Sequence, residues 1–458
     1  MLVTLLFLKS CRLPGQAAHH LLLPVGINPK SEHAIFQTMK HNVLLALILL
    51  LGTTSAMSAE LTLTVKLTNS QSVAREAVPV SVPIDSPLVS RLGGPVMSAT
   101  VRGADGDLPY QLDDLDDDGI YDELFFLTDM PRKSKQSITV TFSTVGTPAV
   151  FPSGVYGSLS IRDRSSKNPK HLPITSLTVP ASSNPYQYVF PHGPLLESEY
   201  VGFRIYCDHR QSVDYYGHRQ KQVELPETAF YPSKEQKLNG YGDDVLYTGS
   251  TYGCGTMHGW DGATSVMFQN VRSRTYTLLA SGPLRTIIQT VNKAWRVTES
   301  SLPVDVTTRY ILCARHRDVK VEVRFSRPVP DLQLSTGVTD IVGSEAITDK
   351  SGLRGCWGTA CAGNNPKVYD THTVGLAVCV PREYYRGDAH FTDGKEQLPN
   401  QAYVALLSTS TDRLHYWFTA TCDLETFGFA DSKAWSDYLH SWKRSLLSPV
   451  KVEILSAR

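Results

Sequence analysis

Residues 319–325 read Val-Lys-Val-Glu-Val-Arg-Phe. Apolar side chains alternate there with Lys320, Glu322 and Arg324. A period of two puts successive side chains on opposite faces, so this is a strand with one buried and one wet face. The same alternation recurs at Leu61-Leu63-Val65-Leu67 and at Ile138-Val140-Phe142. It predicts further strands at 271–280, 284–295, 304–313, 373–380, 402–409 and 413–421. No stretch alternates strand with long helix, which disfavours a parallel doubly wound sheet. One helix is expected near the end, where Asp431 precedes Trp435, Tyr438, Leu439 and Trp442 at helical spacing and Pro449 lies beyond. The helix packs those aromatics on the sheet, and a short strand, VKVEIL, closes the chain. The fold class is therefore all-β. An N-terminal β-sandwich-like domain is expected at 60–150 and a large antiparallel β domain at 170–458. The Ser-, Pro- and Asn-rich stretch between them reads as a linker or crossing loop.

The front of the chain has a different character. Met39-Lys40-His41 is followed by an apolar run, Val43–Leu51, and by small residues up to Ala59. That order reads as a secretory signal peptide at 39–59, with 1–38 an upstream, non-native leader. The apolar run is shorter than the roughly 20 residues that span a bilayer. A periplasmic or secreted protein is expected, with no membrane span in the mature part. Eight cysteines occur, of which Cys11 lies in the leader. Cys356 and Cys361, close together and flanked by Gly, form the expected disulfide if the compartment oxidises them. Lys+Arg and Asp+Glu are both 44, for a net charge of zero. A nucleic-acid partner normally demands a basic excess, so none is expected.

Chemistry-bearing residues concentrate in two Gly-punctuated segments. Residues 191–218 hold Glu197, Glu199, Arg204, Tyr206, Asp208, His209, Asp214 and His218, interleaved with Val201, Phe203, Ile205 and Val213. Residues 240–262 hold Asp243, Asp244, His258, Trp260 and Asp261. Carboxylates, a guanidinium, imidazoles and aromatic rings together suit a saccharide site. Rings stack on apolar sugar faces, and charged groups bind hydroxyls and carboxylates. Arg285, Lys293, Trp295 and Arg309 form a third set on neighbouring strands, where a guanidinium could neutralise a uronate carboxylate. No G-x-S-x-G elbow, P-loop or dinucleotide fingerprint occurs, so no organic cofactor is expected. Asp113–Gly119 is an acidic run. Counted from Asp114, it spaces Asp116 and Asp118 like the oxygen ligands of a Ca²⁺ loop, with Asp122 following. Phe125 stands where an EF-hand has its bidentate Glu, so the choice is between a structural Ca²⁺ in a hairpin loop and a solvated acidic turn.

The stretch HGPLLESEYVGFRIYCDHRQSVDYYG, followed by GDDVLYTGSTYGCG and SGPLR, resembles the domain of unknown function 4861 family, as does the earlier QLDDLDDDGIYDELFF. The resemblance implies an exported protein of a polysaccharide-degrading bacterium. It also implies a relative of the galactose-mutarotase-like supersandwich, a large antiparallel β fold. Matched to the family's pattern are Glu197, Ser198, Arg204, Tyr206, Asp208, Asp214, Gly217, Asp243 and Arg285. His218 departs from it, because Lys is usual there.

The function expected is a carbohydrate-active enzyme acting on a uronate-containing oligo- or polysaccharide. As a lyase, Arg204 or Arg285 binds the carboxylate while His209, His258 or Tyr206 moves the proton. As a hydrolase, two of Glu197, Glu199, Asp243 and Asp244 flank the glycosidic bond. Substrate contacts are expected from Glu199, Asp208, Asp214, Asp244, Trp260 and Arg285. The rivals are a non-catalytic glycan-binding accessory protein and a sugar epimerase or mutarotase.

Overall fold

The alternation at 319–325 becomes one strand of a nine-stranded antiparallel sheet in the computed structural model, which describes residues 59–163, 171–341, 343–363, 365–391 and 400–456. The leader and signal segment lie outside the described residues, apart from Ala59. In sheet order the central strands are Ser273–Ser281, Arg285–Trp295, Val304–Cys313, Asp318–Phe325, Arg413–Cys422 and His372–Cys379. Their apolar sides, including Ile288, Val306, Val321, Phe418 and Val374, face one core. A six-stranded sheet that includes Val201–Ile205 and Val213–Gly217 packs on that core through Phe203 and Tyr215. A five-stranded sheet that includes Met257–Trp260 packs on it through Met257 and Leu334. The result is a large sandwich in which one broad sheet is opposed by two smaller ones.

The opposite face of the broad sheet is covered in two places, by the N-terminal body around the buried Arg285 and by the C-terminal helix. The helix Ser432–Leu446 seats Trp435, Leu439 and Trp442 against Leu353, Ala377 and Cys379. Asp431 caps it, its side chain accepting a hydrogen bond from the Ala434 N–H at 2.8 Å. Between them the face stays open to solvent around Gln289, Thr307, Arg309, Glu322, Arg324, Arg413 and His415.

The N-terminal residues form a second core between a five-stranded and a three-stranded sheet, through Leu63, Val65, Val80, Phe126 and Phe142. The closing strand Lys451–Ser456 returns to this sheet and pairs antiparallel with Glu60–Asn69. The stretch expected as linker contains two short strands, His171–Pro173 and Ser176–Pro180. The expected Cys356–Cys361 disulfide is absent. Both thiols are free and buried, and Cys356 turns inward, its thiol donating to the Thr339 carbonyl at 3.5 Å.

Candidate functional site

The two segments singled out by their chemistry do meet. Cys254 N–H donates to the Val213 carbonyl, and strands 201–205, 213–217 and Asp243–Asp244 lie side by side. Register puts Arg204 opposite Asp214 and Tyr216 opposite Asp244, all on the face turned away from the main core. Arg204 is the hub. One guanidinium nitrogen reaches Asp214 at 2.5 Å, Tyr206 at 2.9 Å and Asp244 at 3.5 Å, and the other reaches Tyr231 at 2.7 Å. Phe230 stacks on its face with the guanidinium carbon 4.1 Å from the ring centre. Tyr206 donates to Asp214 at 2.8 Å. Burial, together with the Asp214 charge, raises Asp244 well above the usual carboxylate range. The same two causes hold the Tyr206 phenol protonated. Arg204 and Asp214 are only 2% and 1% exposed, so they brace the sheet from within and leave the rings of Tyr206 and Tyr231 at the rim.

Several residues expected to contact substrate are instead spent on structure. Glu197 is fully buried. Its carboxylate accepts hydrogen bonds from the Glu224 and Leu225 N–H groups and lies 3.0 Å from His218, so it cannot reach a glycosidic bond. Arg285 is held by Asp113 and Glu123, both at 2.6 Å, and so joins the N-terminal body to the broad sheet instead of facing a ligand. Trp260 is buried against Tyr252 and Val404. Asp208 is chelated by Arg210 at 2.7 Å, and Glu199 accepts the Arg315 N–H at 2.8 Å. His209 is half-buried, lowered in pKa by that burial, and takes no place in the Arg204 network. His258 is sealed in the interior, where its Nε2 donates to the Arg210 carbonyl at 2.7 Å and thereby ties the two segments together. Asp243 lies on the face opposite Asp244 and pairs with Lys237. In the acidic loop Asp114, Asp116 and Asp122 bring oxygens within 4.8 Å of one another, whereas Asp118 accepts the Ile120 N–H at 2.8 Å.

The broad sheet's open face carries what those buried residues lack. A cleft of about 430 Å³ is lined by Gln289, Thr307, Arg309, Glu322, Arg324, Tyr384, Arg413 and His415, within the range of small-molecule sites. Strand register builds it. Gln289, Arg309, Glu322 and His415 stand opposite one another on four consecutive strands. Thr307, Arg324 and Arg413 form the neighbouring row. Side chains opposed in this way share a face and lie within contact distance. The Tyr384 ring meets His415 edge-on with centroids 5.4 Å apart, and Trp417 flanks the other side of His415 at 5.1 Å. Burial, with Lys320 nearby, lowers the His415 pKa and leaves the imidazole neutral at neutral pH. Burial and Glu383 raise Tyr384, which stays a phenol. Glu322, despite burial, is held ionised by Lys320 and Arg309.

Of this row only Arg309 stands out in sequence as a candidate ligand group. Lys320, Glu322 and Arg324 read there as the wet face of a strand, and His415 as part of another. The signal was the charge on that wet face, Lys320 and Arg324 on one strand beside Arg413 and His415 on the next.

The chain belongs to the family described as "Domain of unknown function (DUF4861)", whose profile matches residues 67–452. No curated protein matches it in sequence. Among solved structures, an alpha-mannosidase from Enterococcus faecalis V583 superposes with a TM-score of 0.40 at 11% identity, over 87% of this chain and 46% of that one. A protein in glycosyl hydrolase family 38 from Enterococcus faecalis gives 0.42 at 11% identity, over 87% and 48%. The chain thus spans about half the length of either, and likeness of that depth bears on no residue's chemistry.

Burial pushes the His258 pKa down to about 4, against about 6.5 in an unfolded chain. A His with a depressed folded value costs stability as pH falls, because the unfolded chain takes the proton first. The stability lead of wild type over His258→Gln should therefore shrink between pH 6.5 and pH 4 in urea titrations. A lead that grows with acidity would contradict this placement.

Proposed function

We propose that the protein is an exported carbohydrate-active enzyme that cleaves an acidic, uronate-containing polysaccharide by β-elimination in the cleft of the broad sheet. The observation that carries this reading is the cleft's charge. In a chain with equal numbers of acidic and basic residues, it gathers Arg309, Arg324 and Arg413 against Glu322 alone. Such a focus of positive charge concentrates anionic ligands. A planar guanidinium matches a carboxylate in a two-pronged hydrogen bond.

The chemistry follows from the protonation states. Arg309 and Arg324 neutralise the uronate carboxylate, which stabilises negative charge developing on the adjacent carbon. Neutral His415 removes the proton from that carbon. The Tyr384 phenol gives its proton to the departing glycosidic oxygen as the carbon–oxygen bond breaks. The electron pair freed at the C–H bond becomes a carbon–carbon double bond in the new non-reducing sugar. The base and the acid are thus a pair whose surroundings set their proton affinities apart, as general acid–base work requires. The Tyr384 ring offers an apolar face for sugar stacking.

A second part of the proposal concerns the acidic loop. Asp114, Asp116 and Asp122 would hold a structural Ca²⁺. Its neighbour Leu115 accepts a hydrogen bond from Arg309 at 3.4 Å, so an ordered loop also helps to place that arginine.

Incubation with pectic, algal and glucuronate-rich polysaccharides tests the reaction. The expected product is an unsaturated, ultraviolet-absorbing sugar, formed at least about 100-fold more slowly by His415→Ala and by Tyr384→Phe. Because His415 must be neutral, activity should fall on acidification. Saturated products, anomer exchange without cleavage, or binding without turnover would each reject the lyase reading. For the loop, Ca²⁺ removal should lower the melting temperature of wild type and leave Asp116→Asn unmoved; equal, unchanged melts would dismiss the ion.

A further inference from the structure

The strand Asp243–Asp244, the start of the strand His372–Cys379 and the loop just before it bring together a group of ligand atoms that the elimination chemistry does not use. Asp243, Asp370 and His372 each offer one atom within 4.8 Å of the others. His372 opens the strand His372–Cys379 and is 9% exposed. Its Nδ1 lies 3.0 Å from Asp423, a carboxylate that can only accept, so Nδ1 carries the proton. Asp423 is itself fixed, accepting the Thr373 N–H at 2.8 Å. The other ring nitrogen, Nε2, is buried without a hydrogen-bond partner and points at Asp243, 3.9 Å away. An imidazole oriented by a carboxylate, with its free lone pair aimed at two further carboxylates, is the arrangement that presents His to a metal ion. The cation now facing these groups is the Lys237 ammonium, paired with Asp243 and, at 3.4 Å, with Asp370. Lys237 stands on the short helix Lys234–Leu238 and is about one-third exposed, so it can swing out to water.

We propose that Asp243, Asp370 and His372 bind a divalent first-row transition metal, Zn²⁺ being the best fit, with Lys237 leaving as the ion enters. One imidazole and two carboxylates, completed by water, suit tetrahedral Zn²⁺ and not Ca²⁺, which takes oxygen ligands only. Metal–ligand bonds near 2.0–2.2 Å require the three atoms to draw together. Asp370, whose side chain is 72% exposed, is free to make that movement. The ion would clamp the edge strand Asp243–Asp244 to the strand that begins at His372. It is independent of the elimination chemistry in the cleft.

Calorimetric titration of Zn²⁺ into the metal-stripped full chain should give one equivalent bound, and Co²⁺ should develop the visible absorption of a tetrahedral site. His372→Ala should abolish both signals. Asp423→Asn should weaken binding about 10–100-fold, because it acts through the imidazole's orientation. Lys237→Met should tighten it, and Asp116→Asn, in the other acidic cluster, should leave it unchanged. Undiminished binding in His372→Ala would overturn the proposal. So would a wild-type chain that takes up no zinc, including one in which zinc enters only after Lys237 is removed, since Lys237 would then be the resident cation.

Discussion

Everything in this structure depends on the two-residue period of the broad sheet. Val319, Val321, Val323 and Phe325 are all within 2% of complete burial, while Lys320, Glu322 and Arg324 between them remain in contact with solvent. A slip of one residue in any central strand would exchange the two faces, placing cations in the core and valines in the cleft. Hydrophobic burial on one side therefore determines which charged residues are opposed on the other. The row Gln289, Arg309, Glu322 and His415 is a by-product of a core that cannot pack in any other register. A site mounted on strands in this way is held more rigidly than one built on loops.

The smaller six-stranded sheet solves a different problem. Its outer face is not wet but covered, by the segment that carries Leu225 and Phe230. Polar groups caught beneath such a cover must find partners or be expelled. Arg204 with Asp214, and Glu197 with His218, are the outcome. Each supplies charge that the other needs, and each ties together neighbouring stretches of the segment 191–218. Removing one partner of such a pair leaves a buried charge uncompensated, a cost of about 3–5 kcal/mol. The density of ionisable residues in 191–218 reflects this internal bracing more than contact with a ligand.

The fold was largely legible. Period-two alternation located the central strands, and the Asp431 cap with its aromatic ladder located the helix, because both signals are local and each is tied to one burial pattern. The site was legible only in part. Arg204, Tyr206 and Asp214 of the first segment do converge with Asp244 of the second. What sequence could not reveal was exposure. Whether a strand's polar face meets water or a covering loop depends on elements remote in the chain, such as Tyr384 over His415 or Phe230 over Arg204. The same limit explains Arg285, which looks like a carboxylate ligand and does bind carboxylates, but those of Asp113 and Glu123 within its own chain.

The central claim is that the open face of the broad sheet recognises a negatively charged sugar. Calorimetry with the slow variant His415→Ala, comparing a uronate oligosaccharide with its neutral, carboxyl-reduced counterpart, tests it most directly. The account predicts binding of the acidic sugar alone, weakening as salt is added and lost when Arg309 and Arg324 are replaced. Equal affinity for the two sugars, indifferent to salt and to both arginines, would contradict it.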